Sequence, residues 1–170
     1  MVQVQPYTVF EDLPGGVELR HYPAHKLVSV DVESSFSHAG EVGFQPLVRY
    51  ISGMNSSGEQ IEMTAPVTHF PRGNEKHTIS FVLPEGMSDA EVPGPADSRV
   101  RIVSRPDSRV ATLRWRGGFD HRQASKAEGK LRQSLMLAGY PQSGTVFFAR
   151  YDPPIVPLFM RRNEVLLTLD

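Results

Sequence analysis

The side chains best placed for chemistry are a set of histidines and two carboxylates buried in apolar runs. His21 lies in a strand-like segment between Arg20 and Tyr22. His38 and His121 stand 83 residues apart, each one residue after a helix cap. Equivalent histidines invite a shared metal, but no carboxylate or cysteine joins them at metal-site spacing, and exposed first-turn residues are the simpler reading. His25, His69 and His77 fall in turns or on strands with no partner motif. Glu62 and Glu164 sit in equivalent-looking strands after the two helices, where an apolar groove would raise a carboxyl's pKa and suit it to general-base work. The chain has no cysteine, which excludes disulfides, thiol catalysis and cysteine-ligated metal. There is no GxSxG elbow, phosphate loop, dinucleotide fingerprint or basic stripe for nucleic acid.

These residues must be positioned by a chain that resembles itself at an offset of 83 residues. Val17 falls on Val100, Pro23 on Pro106, Phe36 on Phe119 and His38 on His121, and apolar positions match between them. Residues 7–12, 17–22 and 26–33 read as strands, with Val28, Val30 and Val32 on the buried face. Ser37 reads as the cap of a helix over 38–52, with Glu41 in its first turn and Gly53 as its stop. Strands over 61–70 and 76–84 follow. The second half repeats the plan: strands over 99–104 and 109–116, a helix over 121–138 capped by Asp120, then strands over 145–151 and 163–169. Residues 85–98, rich in Pro, Gly and acid, connect the halves. The pattern predicts two pseudo-symmetric ββαββ-like halves, over about 7–84 and 99–169, forming one curled antiparallel sheet system with a helix on each half, in a single domain over 1–170. Two like halves leave a groove between them, and ligand sites favour such seams.

The formal net charge of −1 gives no general pull towards nucleic acid or acidic membranes. No apolar run approaches the roughly 20 residues of a membrane span. No secretory leader is apparent at the N-terminus, and the lack of cysteine is compatible with the cytoplasm.

Three segments carry a resemblance: Glu18-Leu19-Arg20-His21-Tyr22 with the strand that follows, Met63-Thr64-Ala65-Pro66-Val67, and Tyr151-Asp152-Pro153-Pro154 followed by Arg161-Arg162-Asn163-Glu164-Val165. In this order and at these separations they resemble the SOUL haem-binding protein family, over roughly residues 7–168. The resemblance implies α+β architecture with a distorted antiparallel β-barrel and two flanking helices, similar to small-molecule-binding domains of the gyrase-inhibitor type. It implies binding of haem or a related tetrapyrrole.

The resemblance makes His21 the candidate axial ligand of haem iron. It makes the first helix a haem wall, with Phe44 and Val48 on the porphyrin face and Arg49 at a propionate; ordinary core packing and a solvated charge are the alternatives. Met63, Met160 and Arg161 complete the candidate set, against gap-filling for the methionines and loop ion pairs for the arginines with Asp152. Glu41 and Val156 stand where one branch of the family carries cations. The expected function is a cytoplasmic haem carrier or buffer. The alternatives are a small hydrolase or haem-modifying enzyme on the same scaffold, and a ligand-responsive interaction module.

Overall fold

Strand alternation and the Gly and Pro breakers sort this chain into two compact units, each with β-strands and one helix. A computed structural model describes residues 3–169. The first unit comprises residues 3–5 and His25–Arg105, and the second Pro6–Ala24 and residues 106–169.

In the first unit, β1 (Gln3–Val4) runs parallel to β5 (Thr64–Gly73). The antiparallel path then goes from β5 to β6 (Lys76–Val82), β4 (His25–Glu33) and β7 (Val100–Arg105). Helix α1 (Phe36–Ile51) packs on β4 and β6. Val28, Val30, Ile79, Phe81, Leu47 and Tyr50 form the core.

In the second unit, β2 (Thr8–Leu13) pairs with β3 (Val17–Tyr22), β3 with β8 (Ser108–Arg116), β8 with β10 (Arg162–Thr168), and β10 with β9 (Val146–Arg150), all antiparallel. Helix α2 (His121–Leu137) buries Ala124, Ala127, Leu131 and Leu135 and packs on β8 and β10.

The repeat reappears in the element bounds. Val17–Tyr22 and Val100–Arg105, and likewise His25–Glu33 and Ser108–Arg116, are displaced by 83 residues. The pairing exchanges strands between repeats: β7 joins β4, and β3 joins β8.

Three local expectations are corrected. Helix α1 starts at Phe36 after Ser35, not after Ser37, and the Ser35 hydroxyl bonds His38 Nδ1 at 2.9 Å instead of capping a backbone N–H. The strand read over 61–70 begins at Thr64, with a register shift around the cis Ala65–Pro66 bond. Strand β4 is buried on both faces as far as Ser29, because the Ser29 and Ser80 hydroxyls satisfy each other at 2.7 Å. The Asp120 cap stands as read: its carboxylate accepts from Gln123 N–H at 2.8 Å. Gly53, at φ +118°, takes the left-handed conformation that ends α1.

Candidate functional site

Helix α1 carries more apolar surface than its buried face uses. Ala39, Gly43, Pro46, Leu47 and Tyr50 point inward. Val42 and Phe44 are 50% and 39% exposed, and the Phe44 ring meets Phe81 edge-on at 5.5 Å. Val48, half-buried, packs against the same core, as does Met63 just ahead of β5. Arg49 is exposed, and among the described residues its guanidinium makes no hydrogen bond or ion pair; its charge helps hold the Asp97 carboxyl low, after the larger effect of Arg99. One helix of the first unit therefore presents an aromatic, aliphatic residues and an unpaired cation.

His21, Met160 and Arg161 belong to the second unit. His21 lies on β3 between Thr8 and Arg109, half-exposed, with Nε2 3.5 Å from Asp107 Oδ2. Asp107 Oδ1 also accepts Ala24 N–H at 2.8 Å, so the turn before β8 fixes the carboxylate beside the imidazole. A carboxylate at one ring nitrogen is the usual way of orienting a metal-binding histidine.

Met160 ends a 3-10 turn over Leu158–Met160, and its carbonyl accepts from Arg116 at 3.0 Å. Arg161 turns its guanidinium back onto the loop, donating to the carbonyls of Val156 at 2.9 Å and Pro154 at 2.8 Å. Arg162 closes the loop with Asp152 through its backbone N–H and guanidinium. The pair holds the Asp152 carboxyl below its ordinary range, chiefly through the Arg162 hydrogen bonds.

The second unit also buries a polar network that the histidine-centred reading missed. Alternation places Glu18, Arg20 and Tyr22 on one face of β3, and register sets Arg114 opposite Glu164. Arg20 grips both Glu164 oxygens, at 3.0 and 2.8 Å. Arg114 and the Tyr151 hydroxyl add bonds at 2.9 and 2.8 Å. Burial pushes the Glu164 carboxyl up, but Arg20, Tyr151 and Arg114 more than offset it and leave the pKa below the ordinary value. Burial pushes Tyr22 up to about 12 and Tyr151 higher still. Glu164 is therefore a locked counter-ion, contrary to the raised-pKa base that its apolar strand suggests. Glu62 is exposed and accepts from Gln3 Nε2 at 2.7 Å, so it lacks the apolar groove as well.

A second missed pair lies in the first unit. His69 and His77 are buried, and His69 Nε2 meets His77 Nδ1 at 2.8 Å. His77 Nε2 lies 3.1 Å from the Ser34 carbonyl, and Phe36 stacks on His69. In the β5–β6 register His69 faces Ile79, two residues from His77, so the diagonal spacing was the signal available in sequence. Among the described residues no cluster of three or more His, Asp or Glu side chains could hold a metal ion.

Residues 2–168 match the family model described as SOUL heme-binding protein. The chain belongs to the SOUL heme-binding protein family. Heme-binding protein 2 of Homo sapiens is 36% identical over 168 residues, covering 91% of this chain and 78% of that protein. Among solved structures, the EcmrR C-terminal domain matches with a TM-score of 0.70 at 11% identity, over 96% of this chain and 98% of that one. A hydrolase from Listeria innocua matches with a TM-score of 0.66 at 14% identity, over 95% of each chain. At these identities the two structures speak for a shared fold and not for a shared activity. The SOUL family assignment and the fold expected from the motifs agree: the chain is α+β, with antiparallel sheets and two helices.

Proposed function

We propose that this SOUL family member binds haem or a related tetrapyrrole reversibly and acts as its carrier or buffer in the cytoplasm, with the whole chain working as one ligand-binding domain. The observation that carries the reading is the outer surface of α1. It leaves Phe44 in water one turn from half-buried Val48, with Val42 and Arg49 together on the neighbouring flank and no acceptor for the Arg49 guanidinium among the described residues. A flat apolar plate edged by carboxylates is the chemistry such a surface suits. The human relative is named as a heme-binding protein, which supports the same ligand.

In this reading Phe44 and Val48 lie on the porphyrin face and Arg49 meets a propionate. Met63 adds a contact within the same unit; in the second unit His21, oriented by Asp107, is the candidate iron ligand, with Met160 and Arg161 as the further candidates there. Each unit offers chemistry suited to haem: in the first, exposed apolar side chains and a guanidinium without an acceptor among the described residues, and in the second, an imidazole with a carboxylate at one nitrogen. The hydrolase reading loses support because Glu164 is locked by two arginines and Glu62 is solvated.

Haemin titration followed at the Soret band tests the reading. Wild type should show a saturable, stoichiometric shift, and His21→Ala should change the character of the bound spectrum while leaving Phe44-dependent binding in place. A broad spectrum of non-specific adsorption in wild type would rule out haem carriage. An unchanged spectrum in His21→Ala would remove His21 from the iron and leave apolar binding alone.

A further inference from the structure

The loop between β9 and β10 is unusual in what it shows to water. Residues 153–160, Pro-Pro-Ile-Val-Pro-Leu-Phe-Met, contain no charged or hydrogen-bonding side chain. Ile155, Leu158 and Phe159 are 88%, 56% and 75% exposed. The loop is nonetheless held firmly from beneath. Arg161 ties it to itself, the Asp152–Arg162 pair closes its base, and Arg116 holds the Met160 carbonyl. It is a fixed projection that keeps apolar side chains in solvent, against the ordinary tendency to bury them.

The charge around it is local and positive, although the whole chain is nearly neutral. The described residues of the second unit hold eleven Lys or Arg against eight Asp or Glu, and the excess is concentrated on helix α2, with four cations against one acid. Helix α2 leaves the same end of β8 that anchors the loop: Gly117 N–H donates to the Arg161 carbonyl, and α2 begins at His121. Arg122, Lys126 and Lys130 then recur every fourth residue, all exposed and none in an ion pair among the described residues. The only acid in α2, Glu128, is taken by Arg132. The stripe was not conspicuous in sequence because Ser, Ala and Gly separate its members.

We propose that the second unit docks on an anionic lipid surface, with Ile155, Leu158 and Phe159 entering the headgroup region and Arg122, Lys126 and Lys130 supplying the electrostatic attraction. A protein partner would need a preformed groove for three exposed apolar side chains, whereas a bilayer interface yields to them, and its anionic lipids complement the stripe. Nucleic acid would satisfy the cations but not the apolar loop. No helix among the described residues is long and apolar enough to cross a membrane, so the contact is peripheral.

Haem-free protein is sedimented with phosphatidylcholine vesicles, with and without phosphatidylserine. Binding is expected with the anionic vesicles only, is released by salt, and falls on the order of fivefold per cation in Lys126→Gln and Lys130→Gln. Because the chain has no cysteine, Phe159→Cys accepts a single environment-sensitive dye, which should shift to the blue on anionic vesicles. Ile155→Ser with Phe159→Ser should abolish sedimentation, and the exposure of both side chains makes the fold indifferent to it. Wild type remaining in the supernatant at low salt, a dye that stays in water, or capture of an acidic protein without vesicle binding each overturns the proposal. The α2 variants should titrate haemin as wild type does, so failure of vesicle binding and failure of haem binding are read separately.

Discussion

Glu164 keeps its charge in the interior because five hydrogen bonds from Arg20, Arg114 and Tyr151 reach its two oxygens. Glu164→Gln leaves the Arg20 guanidinium buried without its main counter-charge. The expected loss is about 3–5 kcal/mol in a denaturant titration. Replacing Arg20, Arg114 and Glu164 together with apolar residues should cost far less, because no uncompensated charge remains. The same network sets an acid limit. The Glu164 carboxyl is lowered in the folded state, so its contribution is complete above the ordinary carboxyl pKa. It is lost as pH falls through the folded value, and Asp31 and Asp152 act in the same direction. Melting temperature should therefore fall with pH below that range, and less steeply in Glu164→Gln. For the candidate ligand site, Arg49→Glu should weaken haemin binding about tenfold by removing a charged hydrogen bond and adding a repulsion. The residues of the family motifs were legible one by one; their partners were not. Nothing in Arg20 or Glu164 taken alone says that they meet across 144 positions. The hint was a charge inside an apolar strand, which folding tolerates only when it is paired.

Helix α1 reaches its sheet because Gly43 has no side chain. A Cβ there would lie 2.7 Å from two Ile79 carbons, deep in a core with no flexible end to move. Gly43→Ala should cost about 1–3 kcal/mol by overpacking in a denaturant titration, and adding Ile79→Val should not recover it, because valine keeps the Cβ and both γ carbons that the new methyl meets. The loop over 153–160 is an element of the opposite kind, shaped by polar clamps at its base. Asp152→Asn keeps the shape of the side chain but removes its charge from Arg162. Limited proteolysis should then cut within the loop faster than in wild type, with little change in global unfolding. Most elements were legible because alternation and the Gly and Pro breakers mark them directly. The misplaced Ser37 cap arose because Ser34, Ser35 and Ser37 cluster around the start of α1, and composition alone does not say which one lies at the cap. The late start of β5 has a similar origin, since apolar Ile61 and Met63 extend the strand pattern through a segment that packs without pairing.

Each compact unit draws strands from both repeats. Strand β7 of the second repeat pairs with β4 in the first unit, and its counterpart β3 of the first repeat pairs with β8 in the second. The 83-residue offset was visible in sequence and predicts matching elements. It does not predict this pairing, because an offset records which segments are alike and not which ones bond. A fragment ending at residue 98 keeps all of the first repeat yet strips β4 of β7 and β3 of β8. That fragment should remain unfolded by circular dichroism. Mixing it with residues 99–170 should restore secondary structure, whereas two self-sufficient halves would each fold alone. The exchange also has a meaning in terms of assembly. A single repeat standing free would have one unsatisfied sheet edge and one surplus strand, and a second copy would supply the remedy for both. The tandem repeat holds, within one covalent chain, the arrangement that a domain-swapped dimer reaches only by association, so dilution cannot undo it.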